Sequence, residues 1–468
     1  MPKGFKPLTG LDALFLYLES SGNPMHTGSL IVLKPVKGTR LPAAEALRAH
    51  LIARLRPLGL LRRVLVEAPL GLGHPVWRER AKVDFDQHVV VRTLRRPGDD
   101  AALRAAIAEW HAESMDRDRP MWEAVVIDGL KGGRLALYLR SHHALLDGQA
   151  GVKVTSALVD LQPVPMGASD AADDEDRPAS QRGARRAALR LSARQLSEWW
   201  REAPDLLRQL GKKVQETSWS SLRASLWMAP RTRFNHNIGE ARSVAFASFP
   251  MQDVKRLGAA YGGSLNDGVM ILVSDAVREW LKRRNELPEK PLIAAMPVSV
   301  RAEGSQEGNE VSMVQCPLAT DEPNRRARGE AIVAATRTIK GRVAAFKDLI
   351  PTDFPGFAAP LWVSGLSRLW QRGKLSEKLP PLANLVVSNV PGVPVPLYLG
   401  GMRIEHFYPV SIVTHGLALN ITLVSYAGSL EVGVVTAREA CDRPEVLLRG
   451  MQRALDARRK EFADGGKA

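Results

Sequence analysis

The chain has 468 residues, of which 25% are charged and 45% hydrophobic, an ordinary globular composition that excludes fibrous and disordered classes. That length exceeds a single ordinary core and suits two large ones. The formal charge of +15 points toward an anionic partner surface.

The opening stretch Met1-Pro2-Lys3-Gly4-Phe5-Lys6-Pro7 lacks the apolar core and cleavage site of a secretory signal, and no apolar run is long enough to span a bilayer. Leu11 to Glu19 reads as an amphipathic helix and Gly28 to Leu33 as a strand. Leu103 to Ser114 has helical spacing, Trp122 to Asp128 reads as a strand, and Arg134 to Arg140 alternates Leu135, Leu137 and Leu139 with Ala136, Tyr138 and Arg140. Residues 1–165 therefore form a mixed α/β lobe. Residues 165 to 180 are acidic, small and bounded by proline, too poor in apolar surface to fold, and read as a linker. Between Arg182 and Arg233 twelve Lys or Arg stand against four Asp or Glu, with Trp199, Trp200, Trp219 and Trp227 interleaved. Such a segment suits a lipid headgroup boundary at least as well as nucleic acid, or else forms a solvated helical face whose tryptophans pack on the body. Residues 166–235 make up this linker and basic region.

The second lobe, 236–468, repeats the α/β pattern: a strand at Ser243 to Phe249, a helix after Met251, a helix from Asn266 to Arg284 and a strand at Leu292 to Val298. Further strands are expected at Asn384 to Ser388, Leu417 to Ser425 and Ser429 to Val435, the last two joined as a hairpin across Tyr426-Ala427-Gly428. Cys316 and Cys441 are the only cysteines, which suits a reducing cytoplasm and argues against disulfides.

The chemistry concentrates in His142-His143-Ala144-Leu145-Leu146-Asp147-Gly148, where a strand ends and a helical pattern resumes. Adjacent residues leaving a strand point to opposite sides, so one histidine faces a cleft and the other faces inward. A neutral imidazole, with an ordinary pKa near 6.5, takes a proton from a hydroxyl at working pH; His143 is the candidate base. Asp147 suits loop support, and Gly148 permits tight backbone. No second histidine cluster has ligand spacing, so neither metal nor cofactor is expected. A Gly-x-Ser-x-Gly elbow is absent, and Cys316 has no activating neighbours in sequence, which favours direct transfer over a covalent intermediate.

These residues resemble the bacterial bifunctional wax ester synthases and acyl-CoA:diacylglycerol acyltransferases, whose His-His-x-x-x-Asp-Gly signature is shared with condensation domains and chloramphenicol-acetyltransferase-like enzymes. The likeness extends through Leu11-Asp12-Ala13-Leu14-Phe15, Pro24-Met25-His26 and Pro120-Met121-Trp122, where Met replaces the family's Leu. It continues through Asn266-Asp267, Val387 to Gly392, Tyr408-Pro409-Val410-Ser411 and Leu419-Asn420-Ile421-Thr422; the family's usual proline is missing at Val393.

The resemblance implies two chloramphenicol-acetyltransferase-like lobes, each a mixed sheet with helices, around a central tunnel. It implies an O-acyltransferase moving a long-chain acyl group from acyl-CoA to diacylglycerol or a long-chain alcohol, at a peripheral membrane or lipid-droplet surface, with His143 as proton acceptor. Asn266 then stands either as a donor to the developing oxyanion or as a helix N-cap, with Asp267 beside it. Trp122 and Pro120 stand either in acceptor contact or in lobe packing. The competing class is a non-catalytic lipid-surface protein on the same fold.

Overall fold

The computed structural model describes residues 5–8, 10–36, 42–67, 74–146, 148–163, 228–299, 311–346 and 375–465. Asp147, the acidic linker at 165–180 and nearly all of the basic stretch 182–233 lie outside these residues.

In the first half, β1 (Phe5–Pro7), β3 (Arg63–Val66) and β4 (Val76–Glu79) form a small sheet. The large sheet of this lobe contains β2 (His26–Lys34), β5 (Val89–Thr93), β6 (Trp122–Leu130) and β7 (Arg134–His142). Helices α1 (Gly10–Leu18), α2 (Ala44–Leu55), α3 (Asp100–Ala112) and α4 (Gly148–Leu158) accompany it. The start of α3 is fixed by Asp99, whose carboxylate accepts from Ala101 and Ala102 N–H at 3.1 and 2.9 Å. The apolar side of α2, Leu47, Leu51 and Leu55, packs on β5 and β6.

The second lobe is built from β8 (Arg242–Pro250), α5 (Met251–Ala260), α6 (Leu265–Lys282), β9 (Ile293–Ser299), β10 (Val311–Pro317) and α7 (Arg325–Phe346). It continues with β11 (Leu385–Val390), β14 (Leu419–Tyr426), β15 (Ser429–Ala437) and α8 (Glu445–Gly465), after β12 (Tyr398–Leu399) and β13 (Met402–Val410) have left it. Its sheet runs β10-β9-β11-β14-β15-β8, with β11 parallel to both neighbours. Helix α6 is buried along most of its length, which explains its nearly continuous apolar run, and it packs between α5 and α8. The expected hairpin joins β14 to β15 through Ala427 and Gly428, both at positive φ, 45° and 87°, as a tight twist-matched turn requires.

Two strands, β12 and β13, change lobes. Although β13 follows β11 in sequence, it pairs antiparallel with β2, from Arg403↔Lys34 to Val410↔Gly28. The first large sheet therefore runs β12-β13-β2-β7-β6-β5. Where β13 passes the second sheet, Gly433 of β15 allows contact: a Cβ there would lie 1.7 Å from Pro409 O. Periodicity alone does not assign β13, because its partner strand lies in the opposite half of the chain.

Candidate active site

Strand β7 carries the two histidines out on opposite faces. Leu139, Ser141 and His143, at two-residue spacing, line a cavity between the lobes, whereas His142 is fully buried behind it. The backbone of this end is held from both sides, His142 N–H donating to Met121 O and His143 N–H to Met25 O, each at 2.9 Å.

The His142 ring serves the turn. Its Nδ1 accepts from Ala144 N–H at 3.1 Å, which leaves the proton on Nε2, 3.5 Å from Glu19 Oε1. Glu19 Oε2 in turn accepts from Arg117 Nε and Nη2 at 2.9 and 2.7 Å, and Arg117 also reaches Leu16 O at 2.8 Å. Burial, with help from the Arg117 charge and His143, pushes His142 down to about 3, so it stays neutral. Its carbonyl accepts from Leu145 and Leu146 N–H, closing the turn that leads to α4 at Gly148. The half-buried His143 ring stacks on Phe15 of α1, centroids 4.1 Å apart and planes 13° from parallel, so the ring plane is set by packing.

The cavity measures about 1270 Å³, above the range of roughly 300–1,000 Å³ usual for small-molecule sites. Its walls come from β2, β7 and β13 of one sheet, β11 and β14 of the other, and α4. Val152, Leu161, Val390 and Val393 line it and are also exposed, giving an apolar rim. Among the described residues no group of three or more His, Cys, Asp or Glu side chains could hold a metal ion.

Behind the first-sheet wall lies a second set of buried polar groups. His26 Nε2–H donates to His111 O at 2.8 Å. His111 Nε2–H donates to Ser411 O at 3.0 Å, so its Nδ1 accepts from Tyr138 Oη–H at 2.8 Å. Burial is the main cause that holds His111 at about 3. This bridge joins α3 and β7 to the end of β13.

The remaining candidates sit elsewhere. Trp122 is buried, donates Nε1–H to Leu61 O at 2.8 Å and stacks on His88, centroids 4.7 Å apart. Pro120 is buried as well, its carbonyl accepting from Trp122 N–H. Neither lines the cavity. At the start of α6 the N-cap is Ser264 and not Asn266, because the Asp267 carboxylate reaches back to Ser264 N–H and Oγ–H at 2.5 and 2.7 Å. Asn266, half-buried in the first turn, and Asp267 are not among the lining residues. Glu19 and Arg117 are site neighbours outside every motif block, and Phe15, Ser411 and Thr422 lie within blocks without being singled out as site residues. Ser411 and Thr422 lie in recognisable blocks, and their two-residue spacing along strands is the signal that puts Phe407, Pro409 and Ser411 on one face.

The model of the wax ester synthase/diacylglycerol acyltransferase catalytic domain matches residues 8–269, and that of the corresponding C-terminal domain matches residues 307–458. A putative diacylglycerol O-acyltransferase of Mycobacterium tuberculosis (strain ATCC 25618 / H37Rv) is 34% identical over 458 residues, 96% of this chain and 98% of the relative. The solved wax ester synthase/diacylglycerol acyltransferase from Marinobacter aquaeolei VT8 superposes with a TM-score of 0.70 at 28% identity, covering 97% of this chain and 99% of the other. The starter condensation domain of rhizomide synthetase, at 14% identity, a TM-score of 0.52 and coverage of 97% and 94%, shares the fold.

Proposed function

Because the chain belongs to the wax ester synthase/diacylglycerol acyltransferase family, we propose that His143 is the general base of its O-acyl transfer. The protein is an O-acyltransferase that forms triacylglycerol, wax ester or both. One observation carries the assignment of the base: His143 faces the large interlobe cavity while the neighbouring ring is buried and committed to the turn. The acceptor hydroxyl oxygen bonds the thioester carbonyl carbon as its proton passes to the His143 imidazole. The C–S bond then breaks, and the departing thiolate recovers that proton to leave as free coenzyme A. Both substrates occupy the cavity together, so no acyl-enzyme forms.

His142, Asp147 and Gly148 hold the turn on this reading, Trp122 and Pro120 support the strand end next to it, and Asn266 with Asp267 secures the second-lobe framework. The division into 1–165, 166–235 and 236–468 belongs to the same proposal, with β13 reaching back from the last segment into the first. A lipid surface at the tunnel mouth is supported by the apolar rim and by the charge of residues 182–233. No helix among the described residues is long and apolar enough to cross a membrane. Salt-sensitive binding to anionic liposomes, lost on deleting residues 182–233, is expected; unchanged binding removes the attachment from this proposal.

The deciding assay supplies purified protein with radiolabelled palmitoyl-CoA and, in parallel, hexadecanol and diacylglycerol. Wild type forms labelled ester with at least one acceptor, and His143→Ala forms none while keeping its circular dichroism. Turnover by the folded variant refutes the role of His143.

A further inference from the structure

The reaction places negative charge on the thioester oxygen, and a fixed donor on the cavity wall is needed to receive it. From the hydrogen-bond polarity around Asn420 we infer that the Ser411 hydroxyl is that donor, a proposal that rests on acyl transfer at His143.

The Asn420 side chain is buried, and its partners determine which way round it lies. Ile412 O, at 2.8 Å, can only accept, so the atom facing it is Nδ2. Oδ1 then receives the Thr422 hydroxyl at 2.7 Å, which uses the only proton that Thr422 has to give. The second Nδ2 hydrogen points at Ser411 Oγ, 3.2 Å away. Ser411 therefore accepts from Asn420, and its own hydroxyl proton is directed to some other group. No acceptor for that proton is found among the described residues, and Ser411 lines the cavity. Its backbone is fixed independently by His111 Nε2–H on its carbonyl.

Strand register brings Ser411 opposite the base. Ser411 follows the last rung of the β13–β2 ladder, Val410↔Gly28, and β2 is paired with β7 through Thr27↔Ser141. Ser411, Thr27 and Ser141 thus form a row across three strands, all on the cavity wall. The row spans two strand spacings, about 10 Å, with His143 two residues beyond Ser141. A hydroxyl oxygen and a thioester carbonyl, each about 3 Å from its protein partner, fit between base and donor. As the tetrahedral adduct forms, the carbonyl oxygen takes the electron pair and the Ser411 hydroxyl donates to it without losing its proton. On collapse the C=O bond re-forms and the thiolate leaves.

The test is steady-state kinetics of Ser411→Ala, Ser411→Thr and Asn420→Asp, with thermal midpoints measured alongside. Ser411→Ala is expected to lose about 10²- to 10³-fold in kcat with KM within a few-fold of wild type, because a donor to the oxyanion acts mainly after the ground state. Ser411→Thr keeps a hydroxyl and recovers most of the rate. Asn420→Asp replaces the Nδ2 donor by an acceptor, turns the Ser411 proton away from the cavity and loses rate comparably. A Ser411→Ala enzyme within threefold of wild type overturns the inference, as does Ser411→Thr behaving like Ser411→Ala at an unchanged thermal midpoint. Failure of His143→Ala to abolish turnover would instead overturn the underlying assignment of the base.

Discussion

The turn after β7 and the start of α6 both carry adjacent polar residues in recognisable motifs, yet they use them differently. At the turn, His142 is spent on Ala144 N–H and faces Glu19, while His143 is presented to the cavity. At the helix start, the Asp267 carboxylate is spent on Ser264, and Asn266 lies off the cavity wall. A motif marks chemistry when one of its polar groups faces the substrate space, and architecture when its groups are turned back onto the chain.

The sharpest way to break this contrast is to exchange the expected losses. His143→Ala is expected to cost at least about 10³-fold in kcat with little change in thermal midpoint, since a positioned base contributes about 10²–10⁴-fold and no other described group is placed to replace it. Asp267→Ala is expected to do the reverse: about 1–2 kcal/mol of stability lost with the capping box, read as a lower urea midpoint, and kcat per folded molecule retained. A kinetic collapse in Asp267→Ala at unchanged stability would bring the helix start into the active site.

A smaller effect tests how the turn is held. Glu19→Gln keeps the shape but removes the charge that Arg117 pairs with and that faces His142 Nε2. Loosening the His142 ring lets the His143 turn drift, and a loss of about tenfold in kcat is expected, measured with saturating acceptor. If Glu19→Gln instead raises KM alone, His142 is not what positions the base.

The first sheet was legible in part. Alternation at Leu135, Leu137 and Leu139 finds β7, and the same period sends His142 and His143 to opposite faces. The hairpin at Ala427 and Gly428 is equally local. By contrast, the pairing of β13 with β2, the Arg117 link to Glu19 and the His111 bridge to Ser411 all join residues far apart in sequence. Nothing in local spacing encodes such partners. The sequence also offers Asn266 as a cap for α6, and only the geometry of Asp267, whose carboxylate reaches back to Ser264, moves the cap two residues earlier.

The buried histidines behind the cavity wall extend the comparison to pH. His111 and His142 sit at about 3 and His26 well below its ordinary value, each chiefly through burial. In the unfolded chain these groups titrate near 6.5. Above that pH both states leave them neutral and stability is unaffected. Below it the unfolded chain takes up protons that the folded one refuses, so stability falls steadily from about pH 6.5 toward 3. At pH 5.5 the loss is expected to be about 1.4 kcal/mol per histidine, seen in urea midpoints at pH 7.5 and 5.5. His111→Asn should reduce that slope; an identical slope would mean that His111 is not a source of it.

The smallest expected effect falls on Asn266. In the first turn of α6, half-buried and off the lining, its amide has no described path to the thioester, so Asn266→Ala is expected to stay within about threefold of wild-type kcat and to lose at most about 1 kcal/mol of stability. An oxyanion donor at this position predicts instead the 10²- to 10³-fold loss expected of Ser411→Ala. The two variants therefore decide between the walls of the tunnel. Equal large losses in both would require α6 to swing its first turn inward when the substrates bind, and the two regions would then form one site only in the loaded enzyme.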